Sequence, residues 1–250
     1  MLWHKAWVDT RWRFLLGLTV LLVLACGSSF TFPRARDFFA SMQLPVVADE
    51  EAAAAFRDQL ELMRSFRGYV WSQWFSQSFP VLLTLVAALL GSGSPLVKGG
   101  SGALFSLALP VSRSRWIGTR AGTALAELFV LALAPSVVFV VLAPVVGAQF
   151  AATEAIAYGL SAFVGGSLFL GLAVFLSTLL NDVWRPFLLT CAGAVAIGVF
   201  VPYDHGLFRA MGGSSYFFSG TLAWPELLVS AAGAAGLVWA AAARIVRRDF

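Results

Sequence analysis

The sequence predicts an all-α integral membrane protein with six transmembrane helices, and three observations carry that prediction. Hydrophobic residues make up 59% of the 250 and charged ones only 12%, with a mean hydropathy of +0.82; a soluble domain sits near half apolar and a quarter charged. The apolar residues fall in runs long enough to cross a hydrocarbon layer, which takes about 20 helical residues. The basic residues stand at the ends of those runs, so the net charge of +4 reads as a topology signal rather than as a phosphate-binding face.

Residues 1–13 carry Lys5, Arg11 and Arg13 among Trp3, Trp7 and Trp12. Trp and Arg rest at a headgroup boundary, which predicts an amphipathic elbow helix along the surface before span one, 14–32. The long apolar run and the poor cleavage site at Ser28–Pro33 argue against a removable leader. The polar outer loop, 33–70, contains a helix from Asp49 onward. Asp49 caps it, Glu50 and Glu51 suit its first turn, and Phe56, Leu60, Met63, Phe66 and Val70 form an apolar stripe at three- and four-residue spacing. The stripe fits a resting place on the membrane, on the 202–221 element or on a partner equally well.

Trp71 and Trp74 mark the return into the bilayer. Span two covers 72–90, with a kink expected at Pro80. A basic cytoplasmic segment, 91–116, precedes span three, 117–146, which Pro135 and Pro144 interrupt by freeing the carbonyls of Leu131 and Val140. Span four, 155–180, is rich in small residues: Gly165, Gly166, Ser167, Gly171, Ser177 and Thr178 leave room for close helix approach. The turn from Asn181 to Pro186 leads into span five, 187–201. Residues 202–221 are too apolar for a free loop and too broken for a span, and they predict a re-entrant pair of short outer helices. Span six covers 222–243. With both termini inside, the inner flanks hold 11 of the 17 basic residues and three acids, Asp9, Asp182 and Asp249; the outer loop 33–70 pairs five arginines with six acids. That bias places both termini in the cytoplasm.

Four stretches resemble the ABC-2 type transporter permease family. Lys5–Arg13 is similar to the elbow before span one. Gly102–Ala103–Leu104 with Leu107–Ala108–Leu109–Pro110–Val111–Ser112–Arg113 is similar to the family's cytoplasmic G-T-L…L-P-V-S-R segment and is the most specific of the four. Leu176–Pro186 looks like the span-four exit, and Arg247–Arg248–Asp249–Phe250 like the basic-Asp-Phe tail. The family's glutamate shortly before the G-T-L glycine is absent, Pro95 and Lys98 standing there instead.

The resemblance implies the permease subunit of a bacterial ABC transporter, an exporter in the cytoplasmic membrane. It would pair with a second copy or a related permease and with cytoplasmic ATP-binding subunits. Gly102, Leu104, Leu107, Pro110, Arg113 and Arg115 then form the coupling helix, and Trp7, Arg11 and Arg13 anchor the elbow. No G-x-x-x-x-G-K-[ST] run occurs in these 250 residues, so no cofactor is expected on this chain, and ATP and Mg belong to the partner. The resemblance names no substrate.

Other readings follow from other residues. Gly99–Gly100–Ser101–Gly102 matches the G-x-S-G of rhomboid-type proteases, but the general base would have to be His4 or His205, one in the lead-in and one on the opposite membrane face. Two distant histidines supply no metal site, and Cys26 and Cys191, each inside an apolar run, show no ligand spacing. A non-transporting scaffold or channel subunit is the third class. Glu127 is the only charge deep in a span, where it costs about 3 kcal/mol unless it faces protein or water. A structural pair with Arg120 or Arg185 is the expectation; contact with a cation or polar substrate, or a proton-linked group, is the alternative.

Overall fold

A computed structural model describes residues 2–42, 50–93, 113–180, 182–201 and 206–246, and these form helices without a strand among them. The elements are α1 (Leu2–Ser41), α2 (Glu50–Arg64), α3 (Phe66–Val70), a π-helical stretch (Trp71–Ser78), α4 (Phe79–Gly91), α5 (Arg113–Leu142), a short 3₁₀ turn (Pro144–Val146), α6 (Ala152–Leu179), α7 (Trp184–Phe200), α8 (Leu207–Met211), α9 (Ser214–Ser219) and α10 (Trp224–Val246). Five helical stretches are long and apolar enough to cross a membrane: Leu2–Ser41, Phe66–Gly91, Arg115–Val146, Ala152–Leu179 and Trp224–Ile245. The expected fifth crossing, α7, has 17 residues and falls short of that length. The chain is thus a helical, membrane-embedded protein.

The lead-in and span one form a single rod. Forty residues at ~1.5 Å each make α1 about 60 Å long, and no turn separates residues 2–13 from the rest. The expected separate elbow is therefore not an element of its own, and the expected end of span one at residue 32 is passed without a break. One stripe accounts for this. Thr10, Phe14, Gly17, Leu21, Ala25, Ser29 and Phe32 recur at three- and four-residue intervals and are all buried, so one face packs from the first turns to Pro33. That proline sits inside the helix.

Span two also differs in detail. Ser65 has extended backbone angles (φ −85°, ψ 140°), and its hydroxyl accepts from Gly68 N at 3.0 Å, ending α2 and starting α3. From Trp71 the chain widens into eight π-helical residues before α4. Phe79 N donates to Trp74 O, five residues back, and the Ser78 hydroxyl donates to Gln73 O at 3.0 Å. Pro80, which has no N–H to give, follows as the first turn of α4. The expected kink thus takes the form of a π-bulge ahead of the proline.

In α5 the helix runs through Pro135 without a break. Pro144 starts the 3₁₀ turn, and Gly147, in the left-handed region at φ 70°, ends it. Residues 207–219 form two short helices joined at Gly212–Gly213. They dock on the start of span two: Trp71 stacks on Phe217 at 4.3 Å and donates its indole N–H to Gly212 O at 3.2 Å.

The helix α6 lies at the centre, against α4, α5, α7, α8 and α10. Glycines admit three of these neighbours closely, and a fourth stands at ordinary contact distance from a Cβ. A Cβ on Gly159 would meet Leu133 of α5 at 2.6 Å, one on Gly166 would meet Leu83 of α4 at 3.4 Å, one on Gly171 would meet the Ala234 carbonyl of α10 at 3.0 Å, and one on Gly165 would collide with Met211 of α8. Gly91 of α4 returns the contact, its absent Cβ leaving room for Ala173 (2.6 Å) and the Leu170 carbonyl (2.8 Å). Three hydroxyls of α6 bond within their own helix: Ser167 to Val164 O, Ser177 to Val174 O and Thr178 to Phe175 O. The small-residue stripe therefore serves packing.

An aromatic cluster closes the end of the bundle away from Arg13 and Arg120. Phe75, fully buried, contacts Tyr158 (4.6 Å between centroids), Phe79, Phe139 and Phe150. The stripe on α2–α3 joins it, since Phe66 meets Phe150 and Phe32 edge-on. Arg67 ties α3 to α6 through Glu154 at 3.0 Å and to α9 through the Phe217 ring and carbonyl.

Gly91→Val forces α4 off α6, and overpacking of this kind costs about 1–3 kcal/mol. The midpoint of thermal unfolding in detergent is expected to fall by several degrees. Gly236→Ala, with nothing within 4 Å of the new Cβ, leaves it unchanged.

Candidate functional site

One cluster of polar groups sits at the basic end, where α1, α4 and α5 meet. Four side chains and one piece of backbone build the site. Arg13 comes from α1, four residues after Asp9. Its Nη1 donates to Leu89 O at 3.0 Å and to Ser92 O. These are carbonyls at the C-terminal end of α4, which lack intrahelical partners and carry the negative end of the helix dipole. Arg120 comes from α5, and its guanidinium converges on the same place. A Cβ on Gly93 would collide with Arg120 Nη2 and stand 3.4 Å from Arg13 Nη1. Gly93 is buried, with both guanidinium groups close to it. The chain leaving span two is held by the Arg13 hydrogen bonds, with Arg120 close beside it, at the point where it passes into residues 94–112.

The third side chain is Glu127, one turn beyond Thr123 on α5 and 3% exposed. Thr10 of α1 donates its hydroxyl to Glu127 Oε1. Oε2 has no hydrogen-bond partner among the described residues. The expected pairing with Arg120 or Arg185 is not formed. Arg185 sits on α7 and holds Asp182 at 3.7 Å, while Arg120 lies two turns nearer the helix end and is turned to Gly93. The reason is distance along the axis: residues seven apart on a straight helix differ by only about 20° around it, but they lie ~10 Å apart along it, and the Arg120 guanidinium is turned towards Gly93.

The sequence-derived residues distribute as follows. Gly102, Leu104, Leu107 and Pro110 lie outside the described residues. Arg113 opens α5, and Arg115, two residues further on, is exposed. Trp7 packs its ring against Phe14 at 5.3 Å, and Arg11 lies over the Trp12 ring at 5.7 Å. Arg13, expected as a surface anchor, instead turns inward to α4. A Cβ on Gly118 would meet nothing within 4 Å, and one on Gly122 would meet the Trp3 ring of α1.

Thr10, Ser92 and Gly93 were not legible as site residues. The one available signal was the spacing of Thr10 and Arg13, three apart on the stripe that also holds Phe14. No group of three or more metal-ligating side chains occurs among the described residues. The groups assembled here are donors and cations aimed at backbone, and what they do is fix the ends of three helices to one another. Comparison of the chain with protein-family models, curated proteins and solved structures finds no match.

Two measurements check this geometry. Arg13→Met keeps the stem and removes both donors, and hydrogen bonds to charged groups are worth about 1.5–3 kcal/mol; unfolding in detergent is expected to move by that amount, against less than about 0.5 kcal/mol for Arg115→Met on the exposed face. In a double-mutant cycle, Thr10→Val and Glu127→Gln are each destabilising. Their combined effect is expected to fall short of the sum by about 0.6–1.7 kcal/mol, the range found for hydrogen bonds between membrane helices.

Proposed function

We propose that the chain is the permease subunit of an ABC-2 type ATP-binding-cassette transporter, an exporter in a bacterial cytoplasmic membrane. The observation that supports this reading best is the hold of Arg13 on the exit of span two. A subunit that converts a partner's closure into helix movement needs its partner-facing segment fixed rigidly to more than one span. Residues 94–112, which hold the G-A-L…L-P-V-S-R pattern, follow Gly93, where Arg13 of α1 bonds the carbonyls of Leu89 and Ser92 and the Arg120 guanidinium of α5 lies close by.

In this reading α7 is the fifth of six crossings, so both termini are cytoplasmic. Its 17 residues span ~26 Å, a modest mismatch that local thinning of the bilayer absorbs, and the exposed Trp184 stands at its end as an interfacial anchor. Helices α8 and α9 re-enter from the outer face. ATP and Mg are held by the partner. Two permease copies, or this chain and a relative, pair in the membrane, and Leu104, Leu107 and Arg113 seat in the ATP-binding subunit.

The test is purification of the tagged chain in mild detergent with its genomic neighbours. An ATP-hydrolysing subunit is expected to co-purify, and to be lost when Leu104 and Leu107 are changed to Asp and Arg113 to Glu. Retention of the ATPase in that triple variant overturns the coupling role. Labelling of a Ser112→Cys variant by an impermeant maleimide added outside intact cells overturns the topology and the transporter reading with it.

A further inference from the structure

Among the seryl and threonyl hydroxyls in the outward half of span one, Ser29 and Thr31 donate back to Ala25 O and Gly27 O, the usual way such a group is satisfied inside a bilayer. Ser28 makes no hydrogen bond among the described residues. Across from it, the π-helical stretch of span two presents Gln77, exposed and also without a hydrogen bond, although its amide carries two donors and an acceptor. Both line one open groove of ≈ 480 Å³ between α1 and span two. Ser78, Trp74, Leu24 and Val81 share its walls, and no lining residue is charged. The indole nitrogen of Trp74 is a further buried donor without a partner.

Depth decides what belongs there. Gln77 stands 11 residues after Phe66 and 14 before Gly91 in a 26-residue span, about 16 Å from one end and 21 Å from the other at ~1.5 Å per residue. That is near the middle of the hydrocarbon layer, where an unmet amide costs free energy and where a resident lipid keeps only its tails. A polar group reaching this depth belongs to a molecule in passage. The volume falls within the range of small-molecule sites, enough for a head and the first carbons of a chain. The absence of charge in the lining disfavours an ionic head, which nothing there would neutralise. The π-bulge is the local device that makes the site, because the extra residue per turn turns Gln77 and Ser78 outward together.

We propose that this groove binds the uncharged, hydrogen-bonding head of an amphiphile, with Gln77 and Ser28 as its recognising groups and Trp74, Leu24 and Val81 against its chain. As a statement about cargo it rests on the transporter reading; as a binding site it does not.

The test uses the full chain, with whatever subunits accompany it, in phosphatidylcholine vesicles containing a diazirine-bearing diacylglycerol, and maps photoadducts by mass spectrometry. A diazirine phosphatidylglycerol serves as the anionic comparison. Adducts from the neutral probe are expected to concentrate on 24–28 and 74–82. Labelling is expected to fall about threefold or more in Gln77→Leu, the worth of one hydrogen bond inside a bilayer, and to recover in Gln77→Asn; Ser28→Trp, which fills the groove, is expected to abolish it. Adducts spread evenly around α1, equal labelling by the anionic probe, or indifference to Gln77→Leu overturns the site. So does a disulfide between two copies through Gln77→Cys that the neutral probe leaves undiminished, which assigns the groove to a second chain. Lost labelling in a complex that keeps its ATPase sinks the groove alone. Retained labelling in a chain that binds no ATPase supports the groove and removes the transport reading.

Discussion

The bundle depends on how closely other helices approach α6. In a bilayer, lipid tails solvate apolar side chains as well as protein does, so helices gain little from burying leucine and much from packing at short range. The helix α6 achieves that range by omission. Gly159, Gly165 and Gly171 each open a place for a different neighbour, and at Gly171 the neighbour presents backbone rather than side chain. Gly91 does the same from the side of α4. These contacts set the positions of α4, α5, α8 and α10 around one axis, and α1 is then placed against α5 and α4 by its own buried stripe.

A frame set in this way has two dissimilar ends. At the aromatic end, Phe75, Phe139, Phe150 and Tyr158 fill the space between helices, with Trp71 and Arg67 holding α8 and α9 over them. Flat rings meeting edge-on and stacked make this end dense and specific. At the basic end the helices are joined by a few strong polar contacts instead, Arg13 to two carbonyls and Thr10 to Glu127, with the Arg120 guanidinium beside Gly93. Charge-assisted bonds to backbone act over a short range and break as units. The first end resists rearrangement by volume, the second by a small number of replaceable partners.

The positions of the long helices and of the short pair at 207–219 were readable because each depends on local composition and period. The stripe Leu60, Met63, Phe66, Val70 was readable for the same reason, and those four side chains are buried as that spacing requires. What escaped depends on long-range geometry. The partner of Glu127 is Thr10, 117 residues away, and hydrophobic period says nothing about which helix stands opposite. The continuity of α1 escaped because Trp and Arg at its start fit a surface helix as well as the first turns of a span, and only the packing of Thr10 and Phe14 decides. The π-helix at 71–78 leaves no signature beyond Pro80 following it. The coupling residues Gly102, Leu104, Leu107 and Pro110 lie outside the described residues, so the part of the site read most directly from sequence is carried by the resemblance alone.

The continuity of α1 has a mechanical consequence for the two places where polar groups cluster. Arg13, which holds the exit of span two, and Ser28, which lines the groove, belong to one helix without a break. Fifteen residues separate them, about 22 Å along the axis. Span two likewise carries both the gripped carbonyls of Leu89 and Ser92 and, twelve residues earlier, Gln77. The groove is therefore bounded by two members tied together at their basic end by a single guanidinium. On the proposed reading, a displacement of residues 94–112 that strains the Arg13 contacts changes the angle between α1 and span two, and the groove wall opposite the hinge moves most. A separate elbow, with its own bend before span one, would absorb that displacement; a continuous rod passes it on.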